Sequence, residues 1–115
     1  MTGYIFVAHD EEETVKFLQG QVRFDALEKY IIVEDEDFEY YETRVFDFIN
    51  VECNILIDKY EEETLECNKI SKAIEIVEIL LNNSDDQKFV EFAKRLLELF
   101  IYAKENGKDV EFKFW

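Results

Sequence analysis

The chain has few of the residues that make tight turns, with no proline and only three glycines among 115 residues. Basic residues are also scarce, since 13 Lys and Arg stand against 28 Asp and Glu, for a net charge of −15. Binding to nucleic acid or to an anionic membrane rests on Lys and Arg contacts. We therefore expect no nucleic-acid partner and no membrane partner. A surface of this charge attracts basic proteins and speeds their encounter.

The residues that most catalytic and metal sites need are few. His9 is the only histidine, and no Ser/His/Asp or Cys/His arrangement is visible around it. Asp35, Asp37 and Glu39 alternate like the ligands of a calcium loop, but that loop's glycine and its final bidentate glutamate are missing. We therefore expect neither an enzyme nor a bound cofactor or metal ion.

Two cysteines and the absence of a long apolar run bear on where the protein works. Cys53 and Cys67 are too few for a disulfide framework, and residues 1–4 lack the basic start of a signal peptide. No run of about 18 apolar residues exists to cross a membrane. We expect a cytoplasmic protein with two reduced thiols. A length of 115 residues with 48% apolar content predicts a single domain, residues 1–115.

The first part of the chain predicts a strand followed by a short helix. Gly3–Ala8 is a short apolar run rich in β-formers, typical of a buried strand. Asp10 with Glu13 three residues later is typical of a helix start, because the two side chains satisfy free backbone N–H groups.

The middle of the first half is harder to interpret. Residues 20–35 carry both helical and strand spacing and leave the secondary structure open. Segments 41–49 and 54–60 are rich in aromatic and β-branched residues, and we expect them to form two strands of a hairpin or meander.

The second half predicts two long helices. Apolar residues recur with a helical period over 70–81 and again over a stretch of about 22 residues after a short loop. Ser84 with Gln87 predicts a capping box at the start of the second helix. Gly107 predicts its end, because glycine readily adopts the left-handed conformation found there.

The last residues alternate between apolar and polar, which predicts a terminal strand over 109–115. Its inward-facing residues are Val110, Phe112 and Phe114. The fold class predicted from this order is α+β. In it, an antiparallel or mixed sheet from the N-terminal half and the C-terminal strand packs on two consecutive long helices.

One stretch stands out, residues 34–42, EDEDFEYYE, where six side chains are carboxylates and three are aromatic. One interpretation is a solvated loop or edge strand, whose charges discourage pairing between edges. The other is a binding surface, with aromatic anchors and a ring of carboxylates that steer a basic partner. A second acidic cluster follows at 61–63. The predicted partner-binding residues are Asp35, Asp37, Phe38, Glu39, Tyr40, Tyr41, Glu61, Glu62 and Glu63.

With these residues, the chain resembles the small acidic α+β immunity proteins of bacterial toxin–immunity systems. The resemblance implies a stoichiometric inhibitor that blocks a basic, nuclease-type toxin domain by occupying its active site. Two alternatives remain open. One is a phage-type nucleic-acid mimic that inhibits a DNA-processing enzyme, and the other is a structural or adaptor domain. The oligomeric state is left open as well.

Overall fold

A computed structural model describes residues 2–21 and 27–114. Within them, an antiparallel four-stranded sheet packs against helices, so the predicted α+β class is confirmed. The strands are β1 (Thr2–Val7), β2 (Lys29–Glu34), β3 (Glu62–Leu65) and β4 (Val110–Lys113). Their spatial order is β2-β1-β4-β3. The C-terminal strand therefore lies inside the sheet, between β1 and β3.

Five α-helices accompany the sheet in the described residues. They are α1 (Glu11–Leu18), α2 (Phe38–Tyr41), α3 (Asp47–Cys53), α4 (Cys67–Asn82) and α5 (Gln87–Glu105). The two long helices predicted in the second half are confirmed as α4 and α5, although α5 has 19 residues rather than about 22.

The strand predicted over 41–49 is wrong, because this segment is helical. A 3₁₀ turn (Asp35–Asp37) leads into α2, and a π-helical stretch (Glu42–Phe46) joins α2 to α3, so that all four form one helical segment. Its buried residues are spaced for a helix: Phe38, Val45, Phe46, Ile49 and Cys53. The burial of this one face outweighs the strand propensity of the aromatic and β-branched residues.

The strand predicted over 54–60 is also wrong. The backbone of Ile57 is bonded to the side chain of Asn50, which accepts from the Ile57 N–H at 2.7 Å and donates to the Ile57 carbonyl at 3.1 Å. Glu63 accepts from the N–H of Leu56 at 2.8 Å. Side chains thus satisfy the backbone groups that a neighbouring strand would otherwise pair with, and the expected hairpin does not form.

The sheet buries both of its faces. Ile5, Val7 and Phe112 belong to the larger core, which also contains the buried residues of α3, α4 and α5. On the opposite face, Phe6 packs with Phe17 of α1 in a smaller cluster. The inward direction predicted for Val110, Phe112 and Phe114 is confirmed, since all three are buried. Residue 115, the end of the predicted terminal strand, lies outside the described residues.

The helix ends follow the sequence signals with one exception. Asp10 accepts from the Glu13 N–H, and Glu13 accepts from the His9 N–H, which is the predicted pair at α1. Gly107 has φ +64 just beyond α5, as predicted. The predicted Ser84 cap of α5 is wrong. Asp86 caps this helix instead, because its side chain accepts from the Lys88 N–H, while Ser84 accepts from the Asp86 N–H one step earlier.

Candidate protein-binding surface

The acidic stretch 34–42 leaves the sheet and enters the helical segment. Glu34 is the last residue of β2, and the 3₁₀ turn that follows places Phe38 at the start of α2. Phe38 is only 4% exposed and packs against the rings of Phe46 and Phe114. Although the sequence predicted Phe38 as a partner-binding residue, its side chain belongs to the core.

Tyr41 packs α2 against α5. Its ring stacks on that of Phe92, with centroids 3.7 Å apart and planes 15° apart. Burial raises the pKa of the Tyr41 hydroxyl, which is consistent with a side chain partly withdrawn from water. Little of this ring remains for a partner.

Tyr40 is the centre of a small polar network. Its hydroxyl donates a short hydrogen bond to the Asp86 carboxylate, the cap of α5. The Arg44 guanidinium lies 3.8 Å from the ring centroid and the Lys88 ammonium 4.4 Å. Burial, and then the bond to Asp86, raises the pKa of Tyr40 to about 12. The same bond is the main reason that the pKa of Asp86 is lowered.

Two of the predicted acidic residues are already paired with lysines. Asp35 lies 3.0 Å from the Lys59 ammonium, and this bond holds the pKa of Asp35 below its ordinary value. Asp37 lies 2.7 Å from the Lys88 ammonium, which ties the 3₁₀ turn to the first turn of α5. The Asp35–Lys59 pair connects the first acidic stretch to the segment that leads into the second.

The second acidic cluster, 61–63, opens the edge strand β3 rather than following a strand. Glu61 and Glu62 are exposed. Glu63 has a structural task, since its carboxylate accepts from the backbone N–H groups of Leu56 and Thr64. Of the three predicted binding residues here, two are available to a partner and the third holds the 55–57 segment.

The sequence reasoning missed the group of carboxylates around Glu42. Burial raises the pKa of Glu42, and the negative charges of Asp47, Asp58 and Glu39 raise it further, so these three carboxylates lie close enough to Glu42 to repel its charge. We call these four residues the acidic corner. Glu39 and Glu42 are three residues apart, so a helical interpretation of 38–49 would have placed them on one face.

The pairing register adds two more carboxylates on one face of the sheet. Glu34 pairs with Thr2 at one edge of the sheet, and Glu62 pairs with Lys113 at the other. Three inter-strand spacings separate these edges, which is about 14 Å. Both residues are exposed and lie toward the end of the sheet where Asp35 meets Lys59.

The same fold occurs in the Neisseria DNA mimic protein DMP12. The match has a TM-score of 0.71 with 17% sequence identity, and it covers 99% of this chain and 100% of that one. No protein-family model matches the chain, and no curated protein matches it. At this identity the likeness to DMP12 concerns the fold, so the surface used for binding has to be inferred from this chain's own residues.

A groove of about 420 Å³ lies elsewhere, between α1 and the β3–β4 edge. His9, Thr64 and Glu111 line it, and Thr64 donates to Glu111 at 2.6 Å. Burial is the main cause of the raised pKa of Glu111. Across residues 2–21 and 27–114, no cluster of three or more acidic, His or Cys side chains is arranged to hold a metal ion. No helix in that part of the chain is long and apolar enough to cross a membrane.

Proposed function

We propose that this chain is a protein inhibitor that acts as a nucleic-acid mimic, occupying the DNA-contacting surface of a DNA-binding protein. The observation that carries the proposal is the likeness in fold, along the whole of both chains, to a protein named as a DNA mimic. The partner is then a basic protein, and no nucleic acid binds to the chain itself.

The charge density supports this proposal. The protein is 39 Å long on its longest axis and carries a net charge of −15, which is one charge per 2.6 Å. Double-stranded DNA carries about one charge per 1.7 Å of its axis. A protein surface that neutralises DNA phosphates with Lys and Arg therefore meets charge of the same sign on this chain, at about two-thirds of the linear density of DNA.

The acidic corner supports it energetically. Burial, and then the charges of Asp47, Asp58 and Glu39, raise the pKa of Glu42, so the charged form of Glu42 is held in an unfavourable environment in the free protein. A partner's Lys and Arg side chains relieve this repulsion when they bind, as they would neutralise neighbouring phosphates. Because Glu39, Glu42 and Asp47 belong to one helical segment, the corner is fixed before the partner arrives, which lowers the ordering cost of binding.

The immunity-protein hypothesis stays a prediction. It relied on aromatic anchors in residues 38–41. The ring of Phe38 is buried in the core, and the ring of Tyr41 stacks on Phe92 of α5. The likeness in fold therefore favours the mimic, and a nuclease toxin becomes one outcome of the following experiment.

The proposal is tested by capture at low salt from an extract of the source cell. The wild-type chain is compared with a variant in which the acidic corner is neutralised: Glu39→Gln, Glu42→Gln, Asp47→Asn and Asp58→Asn. A matched control removes four exposed charges from α4 and α5: Glu75→Gln, Glu78→Gln, Glu98→Gln and Glu105→Gln. Both variants have the same net charge, so a difference between them reports position rather than total charge.

We expect the wild type and the control to retain a DNA-binding protein that the corner variant loses. Duplex DNA should release the retained protein. A retained protein without DNA-binding activity, or one that DNA leaves in place, would contradict the proposal. Retention of a nuclease toxin, whose activity the chain blocks, would return the immunity hypothesis.

A further inference from the structure

Tyr60 is the most exposed aromatic residue in the described part of the chain. It is 70% exposed and lies in the turn between Lys59 and β3. Its backbone has φ +66, a left-handed conformation that residues other than glycine rarely adopt. The Lys59 ammonium lies 5.8 Å from the ring centroid. No other described aromatic residue contacts this ring, and at 70% exposure most of it meets solvent beside this one distant cation.

The tyrosines of the acidic stretch are occupied in a way that Tyr60 is not. Tyr40 holds two cations of its own chain against its ring, and Tyr41 stacks on Phe92. The contact of Tyr40 with Arg44, at 3.8 Å, is an example within this protein of a tyrosine face stacked by a guanidinium. Tyr60 offers the same kind of ring, and its nearest cation, the Lys59 ammonium at 5.8 Å, lies farther away than the two cations on Tyr40.

We propose that Tyr60 is the aromatic platform on which an arginine side chain of the partner stacks. This inference rests on the proposed function, because it names the chemistry by which a DNA-binding protein is recognised. Arginine is the expected occupant because its flat guanidinium stacks on aromatic rings and pairs with carboxylates at the same time. It is also one of the residues that DNA-binding surfaces use to contact phosphates and bases.

The charges around the ring fit this occupant. Glu61 and Glu62 follow Tyr60 directly and are exposed, and Asp58 of the acidic corner precedes it by two residues. Lys59, the nearest cation, is engaged by Asp35. A guanidinium on the ring therefore has carboxylates on both sequence flanks, while the local lysine is already neutralised. Asp58 thus links the platform to the acidic corner along the chain.

The test uses two synthetic peptides of equal length and charge, one with four arginines and one with four lysines separated by glycines. Their dissociation constants are measured for the wild type, Tyr60→Phe, Tyr60→Gly and Phe48→Ala. Phe48 is a matched control, since it is also exposed but lies in α3, beside a groove that Tyr60 does not line. Glycine suits a positive φ, so Tyr60→Gly removes the ring without straining the turn.

We expect the wild type to bind the arginine peptide about threefold more tightly than the lysine peptide, because arginine stacks better on an aromatic face. Tyr60→Phe and Phe48→Ala should keep this ratio. Tyr60→Gly should bring it to about one while its melting temperature stays equal or rises. A ratio unchanged in Tyr60→Gly, or lost equally in Tyr60→Phe, overturns the inference. The proposed function is judged separately, by competition with DNA.

Discussion

At the scale of single residues, Tyr40 joins α2 to the start of α5. Its hydroxyl bonds to Asp86, which in turn caps α5 through the Lys88 N–H. The ring lies between the cations of Arg44 and Lys88. One side chain thus combines a hydrogen bond to a charged group with cation–π contacts, and it does so where the acidic stretch meets the helix pair.

Tyr40→Phe tests the hydrogen-bonded part of this contact. The change keeps the ring and removes the hydroxyl, so we expect the free energy of unfolding to fall by about 1 kcal/mol at neutral pH. Urea denaturation measures the loss. Tyr60→Phe is the control, since no hydrogen bond of the Tyr60 hydroxyl occurs within the described residues, and it should change stability by less than about 0.5 kcal/mol. Equal losses in both variants would contradict a stabilising hydrogen bond from Tyr40 to Asp86.

The same residue predicts a dependence on alkaline pH. A pKa of about 12 in the folded protein exceeds the ordinary value of 10, so folding favours the protonated hydroxyl. The stability that this provides is complete below pH 10 and is lost as the pH rises from 10 to 12. Urea denaturation at pH 9 and pH 11 should therefore show a larger loss for the wild type than for Tyr40→Phe. Parallel losses would show that the pKa of Tyr40 is the same in the folded and the unfolded chain.

At the scale of elements, α5 organises the core. Leu96 is fully buried, with Phe92 and Phe100 one turn away on either side, whereas Glu98 is exposed. Leu96→Ala should lower the free energy of unfolding by about 2–5 kcal/mol because it leaves a cavity. Glu98→Ala should change it by less than about 0.5 kcal/mol. Thermal melts of the two variants measure the difference. Similar melting temperatures would refute the orientation of α5 in which Leu96 faces the core and Glu98 faces solvent.

Deletion of residues 108–115 tests the place of β4 in the sheet. Strand β4 pairs with β1 on one side and β3 on the other, so its loss separates the two. The burial of Phe112 and Phe114 is lost as well, at roughly 3–5 kcal/mol each. A small domain is stable by only about 5–15 kcal/mol. We therefore expect no cooperative unfolding transition by circular dichroism. A truncated chain that melts like the full one would contradict the strand order.

The elements predicted correctly are those whose signals are local. The periods of α4 and α5, the alternation of β4 and the Asp10–Glu13 pair are each contained in one segment, so tertiary contacts did not change them. Segment 41–49 failed because its aromatic residues favour a strand, while its buried positions have helical spacing with the phase shifted by the π-helical stretch Glu42–Phe46. Segment 54–60 failed because its hydrogen-bond partners, Asn50 and Glu63, are side chains that no local pattern shows.

The same limit applies to the candidate surface. Sequence alone located the acidic stretch, but the directions of Phe38 and Tyr41 depended on a helix that it did not predict. The neighbours of Glu42 come from two helices, α2 and α3, and from the loop that holds Asp58, so the approach of Asp58 is visible only in the fold. Tyr60 directly precedes the acidic cluster 61–63 in the sequence, but its exposure and positive φ are visible only in the structure.

At the scale of the whole molecule, a net charge of −15 is a source of self-repulsion. At 0.1 M, salt limits this repulsion to charges within about 10 Å of one another, and at higher concentration the limiting distance is shorter. We therefore expect the melting temperature to rise between 10 mM and 300 mM sodium chloride. The corner variant with four neutralised carboxylates should show a smaller rise. A melting temperature that falls with salt in the wild type would mean that attractive ion pairs outweigh the repulsion.

Salt should act in the opposite direction on binding. Screening weakens attraction between this surface and a basic partner, so the association rate should fall steeply as salt increases. In high salt, a charge-based mimic is therefore expected to be more stable and to bind its partner more weakly. The charge that favours the complex thus destabilises the free chain.

In the proposed function, this chain and DNA compete for one surface of the same protein. The most direct measurement is a titration of the captured partner, bound to a fluorescently labelled duplex, with the unlabelled chain. We expect fluorescence anisotropy to fall to the value of free duplex, with no ternary complex. The concentration of chain at the midpoint should be higher for a duplex that the partner binds more tightly. Anisotropy that stays constant or increases on addition of the chain would show simultaneous binding and would contradict the claim.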